Sequence, residues 1–157
     1  MGLDMTLGAA RNIRLWTNSE YKQERDYKNI LEALDVEESV IDQDYKSIQV
    51  SLGLVSWRKA NQIHDWFVEN VQDGEDDCGE YQVSREQLAE LASLCAEVIK
   101  HPNQAEDLLP TTDGFFFGNT EYNDYYFEQV ESTRARLVEV LTSETLKDYD
   151  FYYSSSW

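Results

Sequence analysis

Two periods of apolar and polar positions alternate along this chain and lay out its elements before any chemistry is considered. Leu3, Met5, Leu7 and Ala9 alternate with Asp4, Thr6 and Gly8, the two-residue period of a strand with one face buried. Ile48, Val50, Leu52 and Leu54, spaced by Ser47, Gln49, Ser51 and Gly53, repeat that period more cleanly and imply a sheet with one covered face. Helical spacing marks Ser19 to Asp35, with Tyr27, Ile30, Leu31 and Leu34 on one side. It returns from Trp57 to Val71, where Ala60, Ile63, Phe67 and Val71 align. Ser84 with Gln87 three residues on has the form of a capping box. That box opens a helix that buries Leu88, Leu91, Cys95, Val98 and Ile99, and Pro102 ends it. Tyr122 to Leu141 is the longest helical run, with Phe127, Val130, Leu137 and Leu141 inward. Tyr81 to Val83, the Gly114–Gly118 run between two turn glycines, and Tyr149 to Tyr153 read as short strands. The expected fold is α+β, a small antiparallel sheet packed against about four helices, in a single domain over residues 1–157.

Composition supports a packed molecule. At 41% apolar and 13% aromatic residues, the 157-residue chain carries enough core-forming side chains to fold without disulfide or metal. Cys78 falls in an acidic loop and Cys95 on an apolar helix face, the usage of a reduced cytosolic protein. No apolar run approaches the ~18 residues of a membrane span, and the start lacks the basic-then-apolar layout of a signal peptide. Met1 to Thr6 matches the N-myristoylation template, but the same residues alternate as a strand, and the strand is the reading adopted.

Charge narrows the partners. Thirty-one Asp and Glu against 13 Lys and Arg leave a formal charge of −18. Such a chain repels nucleic acid and anionic membrane and is drawn to basic surfaces. The acids recur at helical spacing: Glu86, Glu90 and Glu97 opposite Leu88 and Cys95, and Glu121, Asp124, Glu128, Glu131 and Glu139 opposite Val130 and Leu137. Carboxylates one helical turn apart lie about 5–6 Å from each other, the order of phosphate spacing on a nucleic-acid strand. These rows are the candidate binding surface for a basic, nucleic-acid-binding protein. A solvated helix face shows the same pattern, so that simpler role stands beside it.

The Trp57 segment is the densest mixture of aromatic and polar groups. Trp57, Arg58, His64 and Arg134 form an alternative candidate, a cleft that accepts an anion or nucleotide base by stacking and charge-assisted bonds. Equally, a lone His beside an apolar face packs with a satisfied nitrogen, and an edge Arg lays its stem over the core. His64 has no nucleophile set by a motif, so no catalytic residue is assigned and the chain is read as a non-enzyme. Asp73 to Cys78 departs from calcium-loop spacing, and two Cys with two distant His do not space as a zinc site; no metal or cofactor is expected.

Three segments carry a resemblance: Met1-Gly2-Leu3-Asp4-Met5; Trp57-Arg58-Lys59-Ala60-Asn61 with His64 and Trp66-Phe67-Val68; and Gly114-Phe115-Phe116-Phe117-Gly118-Asn119-Thr120-Glu121-Tyr122. Together they resemble a family of small uncharacterised proteins of bacteriophages and prophages. The likeness runs from Leu52 to Leu141 plus the first five residues and departs from the family at Thr6. It implies a viral setting, the cytoplasm of an infected cell, and no mechanism. In that setting the acidic rows lead to one expectation: an accessory counter-defence protein that blocks a basic host nucleic-acid-handling protein by DNA mimicry, as an anti-restriction or anti-CRISPR inhibitor. The alternative expectation is a nucleotide binder that sequesters a host immune signal. Oligomeric state is open at this point.

Overall fold

From the first strand to the last, the order of elements is β1 (Asp4–Arg14), α1 (Tyr21–Ala33), β2 (Ser47–Arg58), α2 (Asn61–Val71), β3 (Glu80–Val83), α3 (Arg85–Lys100), α4 (Ala105–Leu108), α5 (Asp124–Thr142) and β4 (Asp150–Ser156). The computed structural model describes residues 2–16 and 18–157; Met1 and Thr17, and with Met1 the start of the lipidation template, lie outside the described residues. The α+β class expected from the two periods is the class found. Four strands form one sheet in the order β2-β1-β4-β3. β3 and β4 pair antiparallel from Glu80 with Ser154 to Val83 with Phe151. Bonds from Lys59 N to Leu3 O at one end and from Leu15 N to Lys46 O at the other make β1 and β2 antiparallel too.

The chain divides into two compact units, Met1–Ala9 with Leu52–Trp157, and Ala10–Ser51. In the larger unit, Leu3, Met5, Leu7 and Ala9 lie buried along β1, while Asp4 and Thr6 between them are exposed. β4 alternates in the same way, with Phe151 and Tyr153 inward. On its outer side Ser154 Oγ lies 2.9 Å from Thr6 Oγ1. Ile63 and Phe67 of α2, Leu88, Leu91 and Cys95 of α3, and Val130 and Leu137 of α5 complete this core. The capping box at Ser84 is present in both directions: Gln87 N donates to Ser84 Oγ and Ser84 N to Gln87 Oε1. Two of these helices, α3 and α5, run antiparallel, for Arg85 at the start of α3 donates to Leu141 O at the end of α5 and to Leu146 O in the turn that follows it.

The smaller unit is built on less. Ile13, Tyr27 and Leu31 form its buried apolar cluster, with Ile30, Ile41 and Ile48 packed around them. The guanidinium of Arg14 lies over both the Trp16 and Tyr45 rings, at 3.9 and 4.4 Å.

Several expectations are corrected. Trp57 and Arg58 end β2 and do not begin a helix; Lys59, with φ at 54°, turns the chain into α2 at Asn61. Gly114 to Gly118 is a turn and not a buried strand. Phe117 N bonds back to Gly114 O, Gly118 has φ at 94°, and Phe115 at its tip is 96% exposed. The last helix starts at Asp124 behind the Asn123 cap, so Glu121 and Tyr122 precede it. Leu34 and Ile99 are exposed where α1 and α3 end, because the apolar period outruns its packing partners.

Burial also fixes the chemistry of the thiols. Cys95 is enclosed, which pushes its thiol up to about 12, whereas Cys78 is exposed. Iodoacetamide at mildly alkaline pH is expected to alkylate Cys78 in the folded protein and Cys95 at least about a hundredfold more slowly, with both modified in urea. Intact-mass spectrometry over time checks this; equal native rates would contradict the burial.

Candidate functional site

The acids come first because they dominate the field. All eight carboxylates singled out from the sequence are exposed. Glu86, Glu90 and Glu97 sit on α3 away from Leu88, Leu91 and Cys95; Asp124, Glu128, Glu131 and Glu139 sit on α5 away from Val130 and Leu137. The rows are shorter than the sequence suggests. Glu97 has Lys100 Nζ at 3.9 Å and His101 Nε2 at 3.8 Å, and Glu139 is paired with Arg136. Ser93 interrupts the first row and Ala135 the second. Glu86, Glu90, Glu121, Asp124, Glu128 and Glu131 have no cationic partner within 4 Å among the described residues. The charge is unevenly divided. The Ala10–Ser51 unit holds nine carboxylates and six cations, a net of −3; the other holds 22 and seven, a net of −15.

Trp57, Arg58, His64 and Arg134 are not gathered into a cleft. Trp57 is buried, and its indole donates to Thr133 Oγ1 at 2.8 Å. Arg58 is exposed beside Asp4, at 3.8 Å, and Arg134 is exposed on α5. His64 is 1% exposed, with Nδ1 2.7 Å from Tyr153 Oη and Nε2 3.1 Å from Asp76 Oδ2. An ionised Asp76 puts the proton on Nε2, which leaves Nδ1 to accept from the tyrosine. Burial, and after it the charge of Asp76, raises the pKa of Tyr153 and keeps its hydroxyl a donor. The edge of the imidazole meets the Phe117 ring at 5.1 Å between centroids. With both nitrogens engaged and its ring enclosed, His64 links Asp76 to Tyr153 of β4. Asp76 also accepts from the indole of Trp157 at 3.0 Å.

The three resembling segments, separate in sequence, meet in space around Asn61. This side chain, 1% exposed, donates to Phe117 O at 3.1 Å and Asn119 O at 2.9 Å, and accepts from Thr112 N at 3.1 Å. Leu3 N donates to Phe116 O and Lys59 N to Leu3 O. Gly118 is required here by its positive φ and by Lys59 Cβ, 3.2 Å from where a Cβ would stand. Beside this junction lies a cleft of ≈240 Å³ whose lining includes Lys59, Gln62, Asn119, Glu121, Tyr125 and Gln129. Its charges are one lysine and one glutamate. The sequence reading missed Asn61 as the keystone, and only the closeness of Asn61 to the Trp-Arg-Lys-Ala segment pointed to it. The rigid turn that results presents Phe115 to solvent.

No family model, curated protein or solved structure matches this chain. No helix among the described residues is long and apolar enough to cross a membrane.

Proposed function

We propose that this chain is a non-catalytic binding protein that occupies a basic surface of a nucleic-acid-handling protein and excludes nucleic acid from it. The observation that carries the reading is the net −15 on one unit, with six exposed carboxylates around α3 and α5 that have no cationic partner within 4 Å among the described residues. Interrupted rows make the mimicry one of field strength and sign, not a replica of successive phosphates. The viral setting implied by the three resembling segments makes a restriction or CRISPR nuclease the concrete target class.

The experiment is displacement of labelled DNA from a panel of purified restriction and CRISPR effector proteins, read by fluorescence anisotropy. Displacement by the wild-type chain is expected to weaken at least tenfold, roughly, as salt rises across the physiological range, because exposed charges screen within ~8–10 Å. Changing Glu86, Glu90, Glu128 and Glu131 together to Gln is expected to abolish it without altering the thermal midpoint by more than a few degrees, since all four are exposed. Displacement that ignores both salt and the four substitutions would sink the reading.

A further inference from the structure

β2 lies at one end of the strand order, so one of its edges has no strand partner among the described residues. The second half of that edge is protected by α5. Arg136 donates to Leu54 O at 3.0 Å, while Tyr125 and Gln129 donate to Arg58 O at 3.1 and 3.0 Å. From Ser47 to Gly53 no such bond reaches the outer edge among the described residues. Exposed edges are ordinarily blunted by Lys, by Pro or by an inward charge. Here the eleven residues from Ser47 to Trp57 contain neither charge nor Pro, the longest uncharged run in a chain that is 28% charged.

Gly53 points the same way. Its φ is not positive, and nothing lies within 4 Å of where its Cβ would stand. No crowding requires a glycine there; across it the inward face passes from Ile48 and Val50 to Val55 and Trp57, as at a bulge, and a strand glycine leaves room for another backbone to approach. Leu52 beside it is 39% exposed.

We propose that the Ser47–Gly53 edge of β2 pairs antiparallel with the same edge of a second copy of this chain. The segment is self-complementary. A two-fold axis at Val50 sets Ile48 opposite Leu52 and Gln49 opposite Ser51 of the second copy, so apolar meets apolar on one face and polar meets polar on the other. A second copy is the occupant because the edge carries no charge with which to select a cationic stranger. Most of it also belongs to the unit with a net of only −3, where two like-charged molecules repel least. A pairing this short is weak, so it is concentration-dependent, and salt strengthens it by screening the −18 charges of the two copies. Salt acts in the opposite direction on the proposed binding of a basic protein, so the two readings fail separately.

Sedimentation velocity of the full chain from about 5 μM to about 500 μM, at about 0.05 M and about 0.5 M salt, tests this. The expected result is a rise from monomer toward twice the mass, shifted to lower concentration at the higher salt. The double variant Gln49→Lys/Ser51→Lys, at two exposed positions, is expected to remain monomeric throughout with an unchanged circular dichroism spectrum. Should that variant not fold, hydrogen exchange of the wild-type chain decides: amides within Ser47–Gly53 should slow several-fold at the higher concentration. A wild-type monomer under all conditions, a dimer that persists in the folded variant, or unchanged exchange in that segment would each overturn the proposal.

Discussion

Asn61→Asp is expected to destabilise the protein by about 3–5 kcal/mol at neutral pH, and by more than Asn61→Ala. The two variants separate volume from polarity. Alanine removes three hydrogen bonds and leaves Phe117 O, Asn119 O and Thr112 N without their partner, which amounts to roughly 2–4 kcal/mol. Aspartate keeps the shape and keeps the acceptor for Thr112 N. It replaces the amide donor with a carboxylate oxygen facing two carbonyl oxygens in a site from which water is excluded, and so adds repulsion to lost bonds. Near pH ~4 a protonated aspartic acid can donate one of the two bonds, so the deficit should shrink as pH falls and grow as pH rises. Urea unfolding midpoints at the two pH values supply the measurement. In both variants hydrogen exchange at Gly114–Gly118 should accelerate, because the turn that presents Phe115 loses its anchor. An Asn61→Asp protein as stable as the wild type would remove Asn61 from its keystone role.

That junction also shows what the chain reveals on its face and what it withholds. The alternation from Leu3 to Ala9 and the Ser84–Gln87 box are local signals, and each produced the element it announced, because a two-residue period and a cap satisfy nearby backbone groups whatever the rest of the chain does. The Trp57 segment was misread because its apolar residues fit a helical period as well as a strand. The decision was made by Lys59 adopting a left-handed conformation and by a Thr133 hydroxyl 76 residues away. The three consecutive phenylalanines suggest a strand by propensity; two flanking glycines and the amide of Asn61 turn them instead. His64 was legible as a buried group, but its partner Tyr153 lies 89 residues on, beyond any periodicity. The exposed placement of the acids followed from helix faces, whereas their partial neutralisation by Arg136 and Lys100 depended on rotamers that no spacing rule supplies.

The acidic face and the uncharged edge follow from one distribution of charge. Twenty-two carboxylates on the larger unit make it hard for two copies to meet there and easy for a cationic partner to do so. The smaller unit, with a net of only −3 and most of the open part of β2, has a much lower barrier. A pair of copies joined at β2 would carry two acidic faces, and bivalent engagement of a symmetric target would raise apparent affinity without a new contact.

His64→Ala should destabilise the protein by about 3–5 kcal/mol, the range for a fully buried side chain whose loss leaves a cavity and unpaired polar groups. Tyr153→Phe should destabilise it by about 1–2 kcal/mol, since the ring stays stacked on Phe67, at 3.9 Å between centroids, and only the hydroxyl is lost. The double variant separates a bonded pair from two packed neighbours. If Tyr153 Oη bonds Nδ1, removing His64 already forfeits that bond, and the double variant falls short of the sum of the singles by at least about 1 kcal/mol. Additivity within about 0.3 kcal/mol would show that the hydroxyl and the ring contribute independently. A second readout separates the other nitrogen. His64→Ala should speed hydrogen exchange across residues 72–79, where Asp76 loses its 3.1 Å contact with Nε2, whereas Tyr153→Phe should leave that segment as it was. Because both nitrogens are engaged inside the fold, the consequence of losing His64 is read in stability and in the order of that acidic loop, which is the behaviour of a structural histidine.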